Sequence, residues 1–236
     1  MKKLKYTLDS LGAPHDDKTV NKFNEFMELV LEKNEYINLT AITDRDEFVV
    51  KHLIDSVICY GWPEIDNANK IIDLGTGAGF PGIPLAILYP HKKFLLADSL
   101  NKRLQFIWEA AEKLEINNIE VKHGRAEDLG QNPDYREKYD LCVSRALANL
   151  STLSEYCLPL VKIDGYLYAY KTKSGLTEID DSLMARNLLG GSSDVEIRQM
   201  EIPGFHLDHN VLIIKKERHT PNTYPRKAGI PSKVPL

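Results

Sequence analysis

The chain has little with which to be stapled, metallated or anchored. Its 236 residues include three cysteines, Cys59, Cys142 and Cys157, and no two of them form a CxxC pair. That excludes a disulfide framework and the usual zinc spacings, and the apolar neighbours of all three predict buried thiols in a reducing compartment. No apolar run approaches the ~20 residues of a membrane span. The basic start Met1-Lys2-Lys3 is not followed by the apolar core of a secretory signal. A soluble, cytoplasmic protein is therefore expected. There is no HExxH, no P-loop and no nucleophile elbow, and His91, His123, His206, His209 and His219 show no ligand spacing, so no metal is expected either. Repeats and low-complexity tracts are also missing. What is present, 43% apolar and 27% charged residues, suits one large globular domain, or one domain with a small appendage.

A net charge of −4 argues against a protein that coats nucleic acid, but the charge is unevenly placed. Residues 215–236 carry six cations against Glu217 alone, so this end holds +5 and the rest of the chain −9. A basic end on an acidic body is the asymmetry of a local phosphate contact, although a solvated tail would look the same.

The informative stretch runs from Asp73 to Gly82, Asp-Leu-Gly-Thr-Gly-Ala-Gly-Phe-Pro-Gly. It follows the apolar pair Ile71-Ile72 and precedes Ile83, Leu85, Ile87 and Leu88, which reads as strand, glycine turn and helix. Glycine reaches positive φ cheaply and lets a ligand approach the backbone, so four in eight residues mark a nucleotide-cradling turn. Its spacing fits two cofactors. Gly77-x-Gly79-x-x-Gly82 satisfies the dinucleotide fingerprint, and Gly75-x-Gly77-x-Gly79 the pattern of S-adenosylmethionine-dependent methyltransferases. Asp73, opening the turn, favours the second, where an acid lies near the cofactor's amino-acid portion. Asp98 ends the next apolar run, where it accepts bonds from ribose hydroxyls or caps a helix.

Residues 1–66 read as a helical cap: Val20, Phe23, Phe26, Met27, Val30 and Leu31 share one face, Asn34–Thr43 breaks the pattern, and Asp44 with Glu47 begins a second helix. From 67 to 216, strand-like and helix-like segments alternate. The predicted strands are 70–74, 93–98, 118–123, 139–144, 165–170, 194–200 and 209–216. The predicted helices are 81–89, 101–115, 150–158 and 175–189. In the second of these Leu104, Ile107, Trp108, Ala111 and Leu114 form the expected buried stripe. The alternation predicts a doubly wound α/β fold with a mostly parallel, seven-stranded sheet. Its terminal β-turn-β unit fits a methyltransferase better than a classical dinucleotide sheet. Residues 217–236 remain as a basic tail.

Ligands of such sheets gather beyond the carboxyl ends of the strands. That rim should carry Ala126 and Glu127, whose backbone suits an adenine, and Arg145, a permanent cation ending an apolar strand. Arg145 needs a cofactor carboxylate, a phosphate or a buried acid such as Asp73. Lys171 and Lys173 add cations to the rim or are solvated strand ends. His52 and Asp55, three apart, form a candidate general base or a structural pair.

Taken with Asn34-Glu35-Tyr36-Ile37-Asn38-Leu39-Thr40, Lys51-His52-Leu53-Ile54-Asp55-Ser56, Asp98-Ser99-Leu100-Asn101-Lys102-Arg103, Arg125-Ala126-Glu127, Ser144-Arg145-Ala146 and Tyr224-Pro225-Arg226-Lys227-Ala228-Gly229-Ile230-Pro231, the chain resembles the RsmG (GidB) family of bacterial 16S ribosomal RNA guanine-N7 methyltransferases over nearly its whole length. The resemblance implies S-adenosylmethionine as cofactor, with contacts at Gly75, Phe80, Ala126, Glu127 and Arg145, beside Asp73, Gly77, Gly79 and Asp98 from the turn and rim. It implies 16S RNA of the small subunit as partner, and gives the basic tail, Arg226 and Lys227, a use on RNA phosphates. Guanine N7 carries a lone pair and no proton, so in-line attack on the methyl needs positioning and no general base. Arg145 and Lys171 are then expected to position RNA or the cofactor carboxylate. His52 and Asp55 are expected to shape the lid side of the pocket, with His52 toward the RNA, and a monomer without a metal is expected.

Overall fold

The computed structural model describes residues 1–199 and 209–236. Helices α1 (Lys2–Ser10) and α2 (Asp17–Ile37) open the chain. The Asp16 side chain caps α2 by accepting from Thr19 N. This helix outruns the expected break at Asn34 and ends where Asn38 turns left-handed at φ 47°. The Asn34 amide oxygen then accepts from Leu39 N and Thr40 N at 2.6 and 2.8 Å, folding the chain back on the helix it has left. Next come α3 (Arg45–Phe48), capped through Asp44 as expected, a π-helical turn Val49–Ile54, α4 (Asp55–Val57) and α5 (Pro63–Asp66).

Alternation then begins with β1 (Lys70–Leu74), α6 (Gly82–Leu88), β2 (Lys93–Asp98), α7 (Asn101–Lys113), β3 (Ile119–His123), α8 (Ala126–Gln131), β4 (Tyr139–Arg145), α9 (Leu150–Cys157) and β5 (Val161–Thr172). The predicted helix at 175–189 is two short pieces, α10 (Glu178–Asp181) and α11 (Leu183–Leu188). β6 (Glu196–Arg198), β7 (His209–Lys215) and α12 (Ile230–Lys233) complete the chain. The turn between β6 and β7, the end of the predicted 194–200 strand and His206 lie outside the described residues.

The sheet order is β3-β2-β1-β4-β5-β7-β6, with the first five strands parallel and β7 antiparallel to both β5 and β6. The order reverses between β1 and β4, which leaves a crevice at their carboxyl ends. Apolar side chains pack on both faces. One cluster includes Ile72, Leu95, Cys142, Leu153 and Leu212. The other joins Ile71, Phe94 and Leu141 to Leu4, Phe23, Phe26 and Phe48 of the first helices, so the cap shares one core with the sheet. All three cysteines are buried thiols.

One expectation fails here. Trp108 is 56% exposed, whereas Phe106 and Ala110 are buried. The cap is the reason: α2 packs along α7 and covers the flank bearing Phe106 and Ala110, rotating the buried stripe away from Trp108.

Candidate functional site

β1 delivers Asp73 to the sheet rim, and the turn after it runs through positive φ at Gly75 (72°), Gly77 (60°) and Gly79 (98°). Asp73 is fully buried. Its Oδ2 accepts from Thr76 Oγ1 at 2.7 Å and from Gly82 N at 2.8 Å, tying strand, turn and the start of α6 together. Gly82 permits this approach, because a Cβ there would lie 2.6 Å from that same oxygen. Asp73 Oδ1 is buried with no hydrogen-bond partner among the described residues. Burial pushes the Asp73 carboxyl up to about 7, against the lowering effect of Thr76, Gly82 and the Arg145 charge. A buried acceptor without a donor suits the ammonium of an amino-acid-bearing ligand.

Asp98, at the end of β2, is also buried. It accepts from Gly77 N (3.0 Å) and Leu100 N (2.9 Å), and Arg103 stands 3.5 Å away. It therefore shapes the glycine turn and presents its carboxylate to a cavity of about 230 Å³. Gly75, Asp98, Ala126, Glu127 and Ala146 line that cavity, so four of the expected cofactor contacts come together there. Glu127 is buried, and its Oε1 accepts from Gly229 N at 2.7 Å. Sequence reasoning missed Leu147, Tyr156, Gly229 and Ser232, which line the same cavity. Gly229 stood inside a quoted tail motif, yet nothing local in that motif says where the tail ends up.

Arg145 finds the buried acid it was expected to need, but that acid is Asp55 and not Asp73. Its Nη1 pairs with Asp55 Oδ2 at 2.7 Å and donates to Lys51 O, while Nη2 lies 3.2 Å from His52 Nδ1. The guanidinium also sits 5.1 Å from the centroid of Phe80, onto which His52 stacks at 4.7 Å. Guanidinium only donates, so Nδ1 of His52 is the acceptor and its ring proton belongs on Nε2, 2.7 Å from Thr40 Oγ1. The lone pair a general base would use is thereby turned toward Arg145. Asn34 holds Thr40, Thr40 meets His52, and His52 meets Arg145, a polar chain from the cap to the end of β4.

Two other expected cations have internal partners instead. Lys171 Nζ donates to Ala148 O (2.6 Å) and Glu178 Oε2 (2.7 Å), and Glu178 also accepts from Leu150 N. Lys171 thus braces the loop after β4, and neither bond reaches into the cavity. Arg226 was expected on RNA phosphate, but its guanidinium bonds both oxygens of the fully buried Glu155 at 2.6–3.1 Å and Val234 O at 2.8 Å. A buried carboxylate needs such a partner more than solvent needs the cation. Lys227 beside it is exposed. Among the described residues no cluster of His, Cys, Asp or Glu could hold a metal ion, and no helix is long and apolar enough to cross a membrane.

Comparison with known proteins bears on this geometry. The family model GidB, described as rRNA small subunit methyltransferase G, matches residues 19–200. The ribosomal RNA small subunit methyltransferase G of Clostridium tetani is 46% identical over 97% of this chain and 95% of its own. Among solved structures, the Methanococcus jannaschii fibrillarin pre-rRNA processing protein superposes with a TM-score of 0.53 at 16% identity, covering 72% of this chain and 77% of that one. M. jannaschii TYW2, solved in complex with AdoMet, gives 0.51 at 15% identity over 69% and 74%. These last two speak for the fold.

Proposed function

The chain belongs to the GidB family, the rRNA small subunit methyltransferases G, and from that membership we propose that it transfers the methyl group of S-adenosylmethionine to N7 of one guanine in the 16S RNA of the small ribosomal subunit. The observation that carries the reading to this site is convergence. Gly75, Asp98, Ala126 and Glu127, from three different strand ends, line one cavity, and the buried acceptor Asp73 Oδ1 stands on β1 two residues before Gly75. In this reading Asp73 takes the cofactor's ammonium, Asp98 its ribose hydroxyls, and the backbone at Ala126 and Glu127 its adenine. Gly75, Gly77 and Gly79 let the turn close around it.

Bound there, S-adenosylmethionine supplies an electrophilic methyl on a sulfonium. Guanine N7 has an in-plane lone pair and no proton, so no side chain has to remove one. That agrees with a His52 whose acceptor nitrogen faces Arg145. The chain's task is to hold base and methyl in line and exclude water. His52 and Arg145, half-buried and packed on the buried Phe80 ring beside the glycine turn, receive the base. Arg145 orients it from a guanidinium held by Asp55, while Lys171 keeps the loop carrying Ala146 and Leu147 in place. Lys227, exposed on the tail, is available to phosphate. The protein works as a monomer, in the cytoplasm where its substrate is.

Methyl transfer from labelled S-adenosylmethionine to small ribosomal subunits, with N7-methylguanine mapped by strand scission, tests this reading. Label at a single guanine of the 16S RNA is expected. Label at another atom or base would keep the methyltransferase and discard N7, and no label on subunits or free RNA would discard the substrate.

A further inference from the structure

We propose that the C-terminal segment 224–236 is the outer wall of the cofactor cavity, with Arg226 as its anchor and Gly229–Ser232 as its contact with the nucleoside half of the ligand. The proposal rests on reading that cavity as the S-adenosylmethionine site. By sequence the segment is a basic tail suited to RNA; the structure turns Arg226 and several of the segment's backbone groups inward.

The tail is fastened first to α8. Arg136 bridges the two, donating to Gly130 O at 2.7 Å, to Tyr224 O at 2.8 Å and to Thr220 O at 2.6 Å. Pro225 lies so close to α8 that a Cβ on Gly130 would come within 2.7 Å of its ring, and Gln131 Nε2 donates to Pro225 O. The second fastening is on α9. There Arg226 meets buried Glu155 through its backbone N–H, Nε and Nη2, and Thr152 Oγ1 donates to Pro231 O at 3.0 Å. Both helices carry cavity residues, Glu127 on α8 and Tyr156 on α9. Between the fastenings the chain turns left-handed at Gly229 (φ 82°), and Gly229 N reaches Glu127 Oε1. Ser232 then lines the same cavity as Gly75.

The consequence is a coupling. Glu127 holds its place by donating nothing and accepting from the tail, so a loosened tail frees Glu127 and opens the nucleoside side of the cavity to water. A bound nucleoside in turn packs against Gly229 and Ser232 and holds the tail down. Lys227, which is exposed, stays free to meet RNA.

Ser232→Phe is the decisive variant, because Ser232 is exposed and its replacement puts bulk into the cavity without emptying the core. S-adenosylhomocysteine is titrated calorimetrically into the full chain and the variant, and small-subunit binding is measured without cofactor. The expected result is an affinity for S-adenosylhomocysteine lower by about tenfold or more, with an unchanged thermal midpoint and unchanged subunit binding. Trypsin provides a second readout: S-adenosylhomocysteine should slow cleavage after Lys227 and Lys233 more than cleavage elsewhere, and Arg226→Ala should speed it. Parent-like binding by Ser232→Phe, or protection spread evenly over the chain, overturns the wall while leaving the cofactor reading intact. Loss of subunit binding with cofactor binding preserved overturns it in favour of an RNA arm. A parent chain that fails to bind S-adenosylhomocysteine overturns the cofactor reading and the wall with it.

Discussion

Asp73→Asn removes a titration and keeps the shape of the side chain, and the structure sets the size of the effect. The Asp73 carboxyl, ordinarily near 3.8, is pushed up to about 7 by complete burial. That interval is roughly three pH decades at ~1.4 kcal/mol each, or about 4 kcal/mol. Between pH 4 and 7 the folded chain holds a proton on Asp73 that the unfolded chain has released. The folded state binds more protons, so this contribution to stability is full below pH 4, declines as pH rises, and is gone above about 7. At ~2–4 °C per kcal/mol for a chain of this length, the parent's unfolding midpoint should fall by roughly 8–16 °C between pH 4 and 8 relative to Asp73→Asn. Other acids titrate alike in both proteins and cancel in the difference. Thermal unfolding of both across that range measures it, and parallel curves would refute the argument. The same carboxyl should answer the ligand. An ammonium beside Oδ1 favours the ionised form, so S-adenosylhomocysteine binding near pH 6.5 should release a proton. Calorimetry in buffers of different ionisation enthalpy detects that release, and it should vanish in Asp73→Asn.

Gly82→Ala puts a methyl 2.6 Å from Asp73 Oδ2 and 3.0 Å from Leu96 Cγ, which should cost roughly 1–3 kcal/mol in urea unfolding and weaken S-adenosylhomocysteine binding. Parent-like values for both would show that the turn has slack the structure does not suggest. Lys227→Ala, at an exposed site, should lower the slope of log affinity for small subunits against log salt by about 0.7 while leaving cofactor binding alone. An unchanged slope removes Lys227 from the RNA surface.

The motifs located the elements more securely than the side-chain partners. The strand–turn–helix around Asp73–Gly82, the placement of Asp98 and Ala126–Glu127 at strand ends, and the antiparallel close of the sheet were all legible. Each depends on a short window: period-two or period-3.6 apolar patterns, and glycines where φ must be positive. The same windows misjudged Trp108, because the buried face of α7 depends on α2, some seventy residues earlier. They anticipated a buried acid for Arg145 but offered Asp73 as the example, whereas the acid is Asp55, ninety positions away on the cap. They also treated Arg226 as a solvent-facing cation.

By itself, then, the sequence determined the fold class, the glycine turn and the family, since those follow from local backbone preference and from motif residues read in order. Tertiary structure decided which charges face inward. Asp55 with Arg145, Glu178 with Lys171 and Glu155 with Arg226 are each held by pairing between separate elements. Burial makes such pairing obligatory once the elements pack, because an ion withdrawn from water must find its counter-charge or lose its own. A linear pattern of charge cannot show which ions will be withdrawn.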